Sequence, residues 1–398
     1  MTRRLATTTD LDQLLPMIIE TACDSLDCER ATIFLYDTER DELYSRAAKD
    51  AVGIRFPADR GIAGTAAMER VVVNVPDAYA DPRFNKEVDK KTGFKTRNLL
   101  TFPLENMDGH LIGVLQALNK RSGPFDEDDE ELANILSAQA GVALDRGRLL
   151  EEYAEKQRME RDLDIARQIQ LGLFPEVVPV IAGYDVAGWN QPADQCGGDT
   201  YDIIQLEDGR LLIALADATG HGIGPALVIA QFHALVRGML QVTTDVAEIC
   251  AAVNRVLCED LDDERFVTAF VGVLDPKTHV VEYVSCGQGP IMHLKQASFE
   301  SRGATSVPFA VIPDIEYTAE RIHLLPGDLL VLLTDGFYEA PSRRDELFGE
   351  ERVVELIRRG EGAPLDGLIS NLHREIQKFC EGRAQADDLT AVILRRGQ

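Results

Sequence analysis

Hydrophobic and polar positions change their spacing along the chain, and these changes predict its elements. Toward the N-terminus, an amphipathic stretch over Leu11–Ser25 predicts a helix. Short apolar runs predict strands over Ala31–Tyr36, Val71–Val75, Leu99–Pro103 and Leu111–Asn119. The pair Asp108-Gly109 indicates a hairpin between the last two strands, and acidic residues open a further predicted helix over Asp126–Leu144. Together these elements predict a first domain over residues 10–148.

A highly charged helix is predicted to connect the two halves of the chain, over residues 149–173. It lacks Pro. Apolar residues, with one Gln among them, recur every three or four positions and form a narrow seam along the helix: Met159, Leu163, Ala166, Gln170 and Leu173. Such a seam suits a solvated connector helix and a dimerising coiled coil equally well, so the pattern leaves both open.

Residues 174–398 are predicted to form a second domain of mixed strands and helices. The predicted strands are Leu211–Ala216, Phe266–Leu274, Val280–Ser285, Leu329–Thr334 and Thr390–Leu394. The predicted helices are Gly224–Leu240, Val246–Glu259, Glu350–Arg359 and Leu365–Cys380. Strands joined mostly by turns, with helices grouped between them, predict the α+β class, with antiparallel sheets covered by helices.

Composition excludes several classes of function. The 398-residue chain carries a net charge of −26, so the phosphates of nucleic acids and of anionic membranes would repel it. Its seven cysteines show no Cys-x-x-Cys spacing, which argues against a zinc ribbon and favours a reducing compartment. No apolar run is long enough for a bilayer span or a signal peptide. We expect a soluble, cytoplasmic protein without a nucleic-acid or membrane partner.

Carboxylates stand at the ends of the predicted strands of the second domain. Asp199 precedes the strand-like Ile203–Leu206, Asp217 and Asp335 follow apolar runs, and Asp387 precedes one. Each of them alone is compatible with a turn or a helix cap. Four in one domain favour a metal site, because clustered carboxylates repel one another unless cations or protons neutralise them. Two Mg²⁺ or Mn²⁺ ions about 3.5–4 Å apart can activate a bridging water for phosphoryl displacement.

The same region contains five motifs in a fixed order. They are Gly-Gly-Asp-Thr-Tyr-Asp (197–202), Ala-Asp-Ala-Thr-Gly-His-Gly (216–222), Thr-Asp-Gly-Phe-Tyr-Glu-Ala (334–340), Leu-Phe-Gly-Glu-Glu-Arg (347–352) and Ala-Asp-Asp-Leu-Thr (386–390). Over residues 168–395 the chain resembles the metal-dependent PPM family of protein phosphatases, in the bacterial branch of sporulation and stress-response regulators. The resemblance implies an αββα sandwich with two Mn²⁺ or Mg²⁺ ions at one edge of the paired sheets.

The resemblance also implies catalytic roles, exerted through the metals and a bound water. Asp199 and Asp217 would bridge the two metals, and the backbone carbonyl of Ala218 would help to hold the second ion. Asp335 and Asp387 would hold the first ion.

Three more residues of these motifs are weaker candidates, and the chain departs from the family pattern at several places, residues 285–288 among them. Asp388 and Asp202 are second choices as metal ligands and are better suited to supporting roles. His221 could act as a general acid, but in this branch its position favours a structural role. The family usually has an Asn-Ala-Gly-His turn where this chain has Ser-Cys-Gly-Gln at residues 285–288. That change puts local packing or substrate contacts in doubt rather than the chemistry.

Residues 10–148 resemble a GAF domain, a sensor fold of sheet and helices. The resemblance lies in the stretch 84–120 and in a spaced signature, typical of GAF domains from cyclic-nucleotide phosphodiesterases and adenylyl cyclases: Asn119, Lys120, Phe125, Asp129 and Glu130. We expect an ion pair between Lys120 and an acidic residue such as Asp129, which would frame a pocket. Two alternatives stay open: a cyclic-nucleotide pocket, and a structural or dimerising domain with another ligand or none.

The expected function is a homodimeric, metal-dependent serine/threonine protein phosphatase in signal transduction, governed by a small-molecule effector on its sensor domain. By resemblance, its phosphorylated protein substrate could be an anti-sigma-factor antagonist. The rival is a non-catalytic nucleotide-binding signalling scaffold with a dead phosphatase fold, and the complete aspartate set argues against it. A cyclic-nucleotide phosphodiesterase is excluded, because none of the seven histidines is followed by Asp, so that enzyme's His-Asp metal pairs are absent.

Overall fold

The computed structural model describes Thr8 and residues 10–46, 54–220, 222–262, 264–295 and 298–398. The chain separates into two compact units, residues 1–159 and 160–398. The division falls inside the segment predicted to connect the two domains. Over the described ranges, no helix has both the length and the apolar character that a membrane crossing requires.

The first unit is built on one antiparallel sheet. Its strands are β1 (Cys28–Asp37), β2 (Glu42–Tyr44), β3 (Arg55–Pro57), β4 (Val73–Val75), β5 (Leu99–Glu105) and β6 (Leu111–Lys120), in the order β3-β2-β1-β6-β5-β4. Its shorter helices are α1 (Leu11–Ser25), α2 (Gly61–Glu69) and α3 (Lys86–Thr92). The predicted hairpin is confirmed, because β5 and β6 pair antiparallel across a turn in which Gly109 has a positive φ of 78°.

Two apolar cores flank this sheet. Successive side chains of a strand point to opposite faces, and β6 shows the consequence: Leu115 packs in one core and Val114 in the other. The Leu115 core contains Leu14 and Ile18 of α1, whereas the Val114 core contains Ala66 of α2. The sheet is thus covered by a different helix on each side.

A single helix, α4 (Glu127–Leu171), occupies 45 residues. The helix predicted to end at Leu144 and the helix predicted to begin at residue 149 are therefore parts of one unbroken element. Toward its C-terminal end Leu163 is half-buried and Gln170 is buried, whereas Met159 is 63% exposed. The second unit covers that end of the predicted seam, where Cys196 Sγ contacts the Leu163 carbonyl oxygen at 3.8 Å.

The second unit contains two five-stranded antiparallel sheets. Its strands are β7 (Tyr184–Gln191), β8 (Asp199–Gln205), β9 (Leu211–Ala218), β10 (Val267–Asp275), β11 (Val280–Cys286), β12 (Ile291–Lys295), β13 (Ser298–Arg302), β14 (Glu320–His323), β15 (Leu329–Leu333) and β16 (Leu389–Arg396). The strand orders are β14-β11-β10-β9-β8 and β13-β12-β15-β16-β7. Its own helices are α5 (Ile223–Met239), α6 (Val246–Asp260), α7 (Gly336–Glu339), α8 (Glu350–Arg359) and α9 (Leu365–Phe379).

Strands buried on both faces hold these layers together. Along β9, Ile213 packs between the two sheets, whereas its neighbour Leu212 packs under α5 and α6. Along β15, Leu332 packs between the sheets and Val331 packs under α8 and α9. Each sheet therefore has the other sheet on one face and helices on its second face. This confirms the predicted α+β class and the αββα sandwich.

Candidate active site

The predicted carboxylates lie where strands of the two sheets end. Asp199 begins β8 and is the register partner of Asp217, near the end of β9. Asp335 lies two residues after β15, and Asp387 lies two residues before β16. Because β15 and β16 are antiparallel neighbours, the end of one and the start of the other share an edge.

Two threonine hydroxyls join the two sheets at this edge. Thr334 Oγ1 and Thr390 Oγ1 both donate to Asp199 Oδ2, at 2.8 and 2.6 Å. Asp199 belongs to one sheet, whereas Thr390 lies in β16 of the other sheet and Thr334 directly follows β15. Its carboxylate is only 2% exposed, so it depends on such donors in place of water. The sequence analysis did not single out either threonine, although both stand inside the quoted motifs.

The four predicted metal-binding aspartates interact electrostatically. Burial, reinforced by the charges of Asp199, Asp335 and Asp387, raises the pKa of Asp217 to about 10. Burial and the charges of Asp388 and Asp335 raise the pKa of Asp199 to about 8, despite the threonine hydrogen bonds. Burial and the charge of Asp387 raise the pKa of Asp335 to about 6. Mutual effects of this kind require carboxyl groups close together, so the four side chains form one cluster.

The donor chemistry of this cluster fits a hard divalent cation. It offers only oxygen atoms, and the mutual repulsion of its carboxylates is what a cation would relieve. No group of three or more His, Cys, Asp and Glu side chains in the described part of the chain is arranged to hold a metal ion by itself. Mg²⁺ is commonly bound through one or two carboxylates while it keeps several waters, and the cluster suits that mode rather than a closed protein cage.

Gly198 lets two strand ends approach each other beside the cluster. A Cβ at this position would lie 2.7 Å from the carbonyl oxygen of Ala218 and 2.9 Å from that of Gly220, so a larger residue would force the backbones apart. The Gly198 carbonyl oxygen also accepts a hydrogen bond from Ala218 N at 2.9 Å. The Ala218 carbonyl thus lies against the residue that precedes Asp199. His221, the candidate general acid, lies outside the described residues.

Asp388 differs from its neighbour Asp387. Its carboxylate accepts hydrogen bonds from the backbone N–H groups of Ala193 at 2.7 Å and Gly198 at 2.5 Å. A Cβ on Gly197 would lie 2.4 Å from the same carboxylate. Burial raises the pKa of Asp388, although the two backbone donors oppose that shift. Its carboxylate therefore holds the loop that leads into β8.

Asp202 lies on the face of β8 opposite to Asp199, because the two positions are an odd number of residues apart. Its carboxylate pairs with both Nε and Nη2 of Arg237, at 2.6 and 3.0 Å, and lies 3.1 Å from His233 Nε2. Burial alone would raise its pKa, but His233 and Arg237 lower it overall. Asp202 fastens α5 to β8 and does not join the cluster.

Two glutamines brace the segments that lead into the aspartates. Gln170 Nε2 donates to the Gly197 carbonyl oxygen at 2.6 Å, and Gln170 Oε1 accepts from Gly197 N at 3.0 Å. Gln288 Nε2 donates to the Leu333 carbonyl oxygen at 2.9 Å, and its Oε1 accepts from Thr268 Oγ1 at 3.3 Å. The sequence signal for Gln170 was its position as the one polar residue in an apolar seam.

In the first unit, Asn119 fixes the end of β6. It adopts a φ of +60°, a conformation that Asn tolerates better than most residues. Its Nδ2 donates to Glu29 Oε2 and to the Lys95 carbonyl oxygen, both at 2.9 Å, and its Oδ1 accepts from Arg97 N at 2.6 Å. The side chain is 1% exposed, so these contacts stabilise the strand end.

The other residues of the GAF-like signature link β6, α4 and β4. The expected ion pair between Lys120 and Asp129 is present. Asn74 Nδ2 donates to the Phe125 carbonyl oxygen at 3.0 Å and to Glu130 Oε1 at 2.9 Å. Phe125 is buried in the core that includes α1. The signature residues thus fasten the last strand to the start of α4.

Comparisons with known proteins match the two parts of the chain to two different families. Residues 10–144 match the family model of the GAF domain, and residues 207–397 match that of Stage II sporulation protein E (SpoIIE). The SiaA-PP2C domain of Pseudomonas aeruginosa superposes with a TM-score of 0.54 at 20% identity, covering 62% of this chain and 99% of that domain. At this identity the structural likeness shows the fold.

Two curated relatives are similar to parts of the chain. Protein IcfG of Synechocystis sp. is 26% identical over 263 residues, which is 59% of this chain and 41% of that protein. Dual 3',5'-cyclic-AMP and -GMP phosphodiesterase 11A of Takifugu rubripes is 36% identical over 155 residues, 35% of this chain and 17% of that protein. The matches span less than half the length of either relative. The chain carries a GAF domain over residues 10–144, followed by a SpoIIE-type domain of the PPM phosphatase family over residues 207–397.

Proposed function

We propose that this protein is a metal-dependent phosphatase of phosphoserine and phosphothreonine proteins and that its GAF domain regulates it in signal transduction. The supporting observation is the cluster of Asp199, Asp217, Asp335 and Asp387, whose carboxyl groups interact electrostatically where β8, β9, β15 and β16 end. A dead scaffold would have no need to keep four mutually repelling carboxylates together.

In the proposed mechanism, the residues of the cluster bind different metal ions. Asp199 and Asp217, with the Ala218 carbonyl, would hold one Mn²⁺ or Mg²⁺ ion and share another with Asp335 and Asp387. When bound, two such metal ions would lower the pKa of a water between them and neutralise charge on the phosphoryl group. Thr334 and Thr390 keep the Asp199 carboxylate oriented.

We propose a phosphorylated protein as the substrate, in the class of anti-sigma-factor antagonists that the family resemblance implies. The cytoplasm suits this role, since all seven cysteines are free thiols and disulfides are rare in that compartment. The net charge of −26 disfavours nucleic acid as an alternative phosphate-bearing partner.

We propose a cyclic nucleotide as the effector bound by the GAF domain. Two observations support it: the signature around Lys120, and the 36% identity to a relative named as a cyclic-AMP and -GMP phosphodiesterase. The alternative is a GAF domain with a structural role. An effector could reach the catalytic cluster through α4, because Gln170 near its end hydrogen-bonds Gly197, two residues before Asp199.

We also propose a homodimer. Ile135, Val142 and Leu149 recur every seven residues along α4, and all three are at least 40% exposed. A seven-residue repeat of exposed apolar side chains is typical of a helix that packs against a second helix, and a second copy of the chain would supply one.

Replacing Asp335 with Asn should lower Mn²⁺-dependent hydrolysis of a phosphoserine peptide by about 100-fold, the scale of losing one electrostatic stabiliser of a transition state. Steady-state phosphate release by the full chain measures it. The matched control is Asp208→Asn, which removes a carboxylate from the opposite end of the β8–β9 hairpin and should leave turnover unchanged. Wild-type turnover in Asp335→Asn would reject the proposed role of the aspartates, whereas an inactive wild type would favour the scaffold.

The stabilising effect of Mg²⁺ should increase with pH. An unfolded Asp loses its proton near pH 4, whereas the folded chain keeps protons on Asp199 and Asp217 up to about pH 8 and 10. The metal-free fold binds more protons than the unfolded chain, so its stability falls as pH rises toward those values. A cation that replaces the protons relieves this loss.

The measurement is the difference in thermal midpoint between Mg²⁺ and EDTA at about pH 6 and about pH 9, which lie on either side of the pKa of Asp199. We expect the larger difference at the higher pH, and a flatter dependence in Asp217→Asn. A difference that shrinks with pH would contradict the cluster as a cation site.

Cyclic AMP or cyclic GMP should bind the full chain and change its turnover, whereas 5'-AMP should do neither. A ligand changes activity only if it binds two conformations with different affinities, so binding by calorimetry and turnover are both needed. Lys120→Ala should weaken binding because it removes the ion pair with Asp129. Lys90→Ala, whose side chain is 69% exposed, is the control. If neither nucleotide binds, the effector assignment is wrong.

Leu149→Glu should shift the protein from dimer to monomer in sedimentation velocity, because it places a charge within the apolar repeat. Val242→Glu is the matched control, since Val242 is 79% exposed beyond the end of α5 and is not part of the apolar repeat in α4. A monomeric wild type at micromolar concentration, or equal effects of the two substitutions, would refute the proposed dimer.

A further inference from the structure

Two cysteines flank the turn that leads from α1 into β1. Cys23 lies in the last turn of α1, and Cys28 is the first residue of β1. The chain reverses between them through Asp27, which has a φ of +44° and whose carbonyl oxygen accepts a hydrogen bond from Arg121 N at 2.8 Å. This turn brings both side chains into one apolar core, in which Cys28 is buried and Cys23 packs at the margin.

The two thiols have unlike surroundings. Cys28 is fully buried, and its Sγ donates to the Arg30 carbonyl oxygen at 3.3 Å. Cys23 is partly exposed. The neighbouring Cys28 and the charge of Arg121 lower the pKa of Cys23 to about 7, whereas Cys23 and burial raise the pKa of Cys28. A partly exposed thiolate beside a second thiol is the arrangement of a peroxide-reactive cysteine with its resolving partner.

The other cysteines lack this combination. Four of them are buried: Cys196, Cys250, Cys286 and Cys380. Cys258 is partly exposed, but burial raises its pKa. Cys250 and Cys286 share one core under α5 and α6, but both are 0% exposed there, where an oxidant from solvent has no access.

We propose that Cys23 and Cys28 form a reversible thiol–disulfide site in the GAF domain, with hydrogen peroxide or a related hydroperoxide as its oxidant. This inference stands independently of the proposed phosphatase function and of the identity of the effector.

The oxidation proceeds in two balanced steps. The Cys23 thiolate attacks one peroxide oxygen, the O–O bond breaks, and the departing hydroxide takes up a proton to become water, leaving a sulfenic acid on Cys23. The Cys28 sulfur then attacks the Cys23 sulfur: an S–S bond forms, the S–O bond breaks, and the hydroxyl leaves as a second water with the Cys28 proton. The thiol pair loses two electrons and the peroxide gains them, and a dithiol reverses the reaction by exchange.

Peptide mapping of the full chain tests this directly. Trypsin leaves both cysteines on one peptide, residues 5–30, and Cys258 on another, residues 256–265. After peroxide treatment and alkylation, we expect peptide 5–30 to lack both alkyl groups and to weigh two hydrogen atoms less than its reduced form, with full reversal by dithiothreitol. Peptide 256–265 should stay alkylated. An unchanged peptide 5–30, or Cys23 oxidised to a sulfinic acid with Cys28 still alkylated, would overturn the proposal.

Two variants separate the roles of the thiols. In Cys28→Ser, a dimedone-type reagent should trap the sulfenic acid on Cys23, because the resolving thiol is gone. In Cys23→Ser, neither a disulfide nor a trapped Cys28 should form, and trapping at Cys28 would reject the assignment. Cys28 is buried and its replacement could unfold the domain, so the alkylation rates of the wild-type thiols provide a test that needs no variant. Cys23 should react with iodoacetamide about tenfold faster than Cys258 at neutral pH, and equal rates would reject the site.

Discussion

Carboxylates repel one another at one edge of the sandwich, and the rest of the catalytic unit holds them together despite this repulsion. Desolvated carboxylates favour separation or protonation, yet Asp199 and Asp217 are register partners on adjacent strands. They stay together because β8 and β9 are held by apolar side chains on both faces, and because hydroxyls from the second sheet bind Asp199. The sandwich therefore opposes a repulsion that a divalent cation would remove, which makes cation binding and stability of the unit parts of one equilibrium.

The adjacent aspartates before β16 show how one short motif can serve two purposes. Asp387 is exposed, acts on the cluster through its charge and accepts a hydrogen bond from the backbone N of Asp388 at 2.8 Å. Asp388 points instead to the loop before β8, and a Cβ on Gly336 would lie 2.1 Å from its carbonyl oxygen. Two segments distant in sequence thus close on Asp388, and the absence of a side chain at Gly197 and Gly336 is what allows it.

How far the sequence predicts this structure depends on how local each signal is. β9 and β15 were predicted because strands buried on both faces are continuous apolar runs, whereas β13 (Ser298–Arg302) and β14 (Glu320–His323) are short, mostly polar edge strands with no such signal. The aspartates were predicted because each one borders a strand. Thr334 and Thr390 were not, since their contacts with Asp199 join residues 135 and 191 positions apart, a relation that no local pattern contains.

The same limit applies to α4, and it bears on regulation. Its seam was compatible with a solvated helix or a coiled coil because periodicity specifies a face but not what covers that face. In the structure, burial differs along the helix: Gln170 is buried against Gly197, whereas Leu149 is 56% exposed. A polar side chain that binds both the N–H and the carbonyl of one glycine fixes the last turn of α4 relative to the loop before Asp199. Rotation of that turn would break both hydrogen bonds together, so a movement of the last turn of α4 would disturb the loop that leads into Asp199.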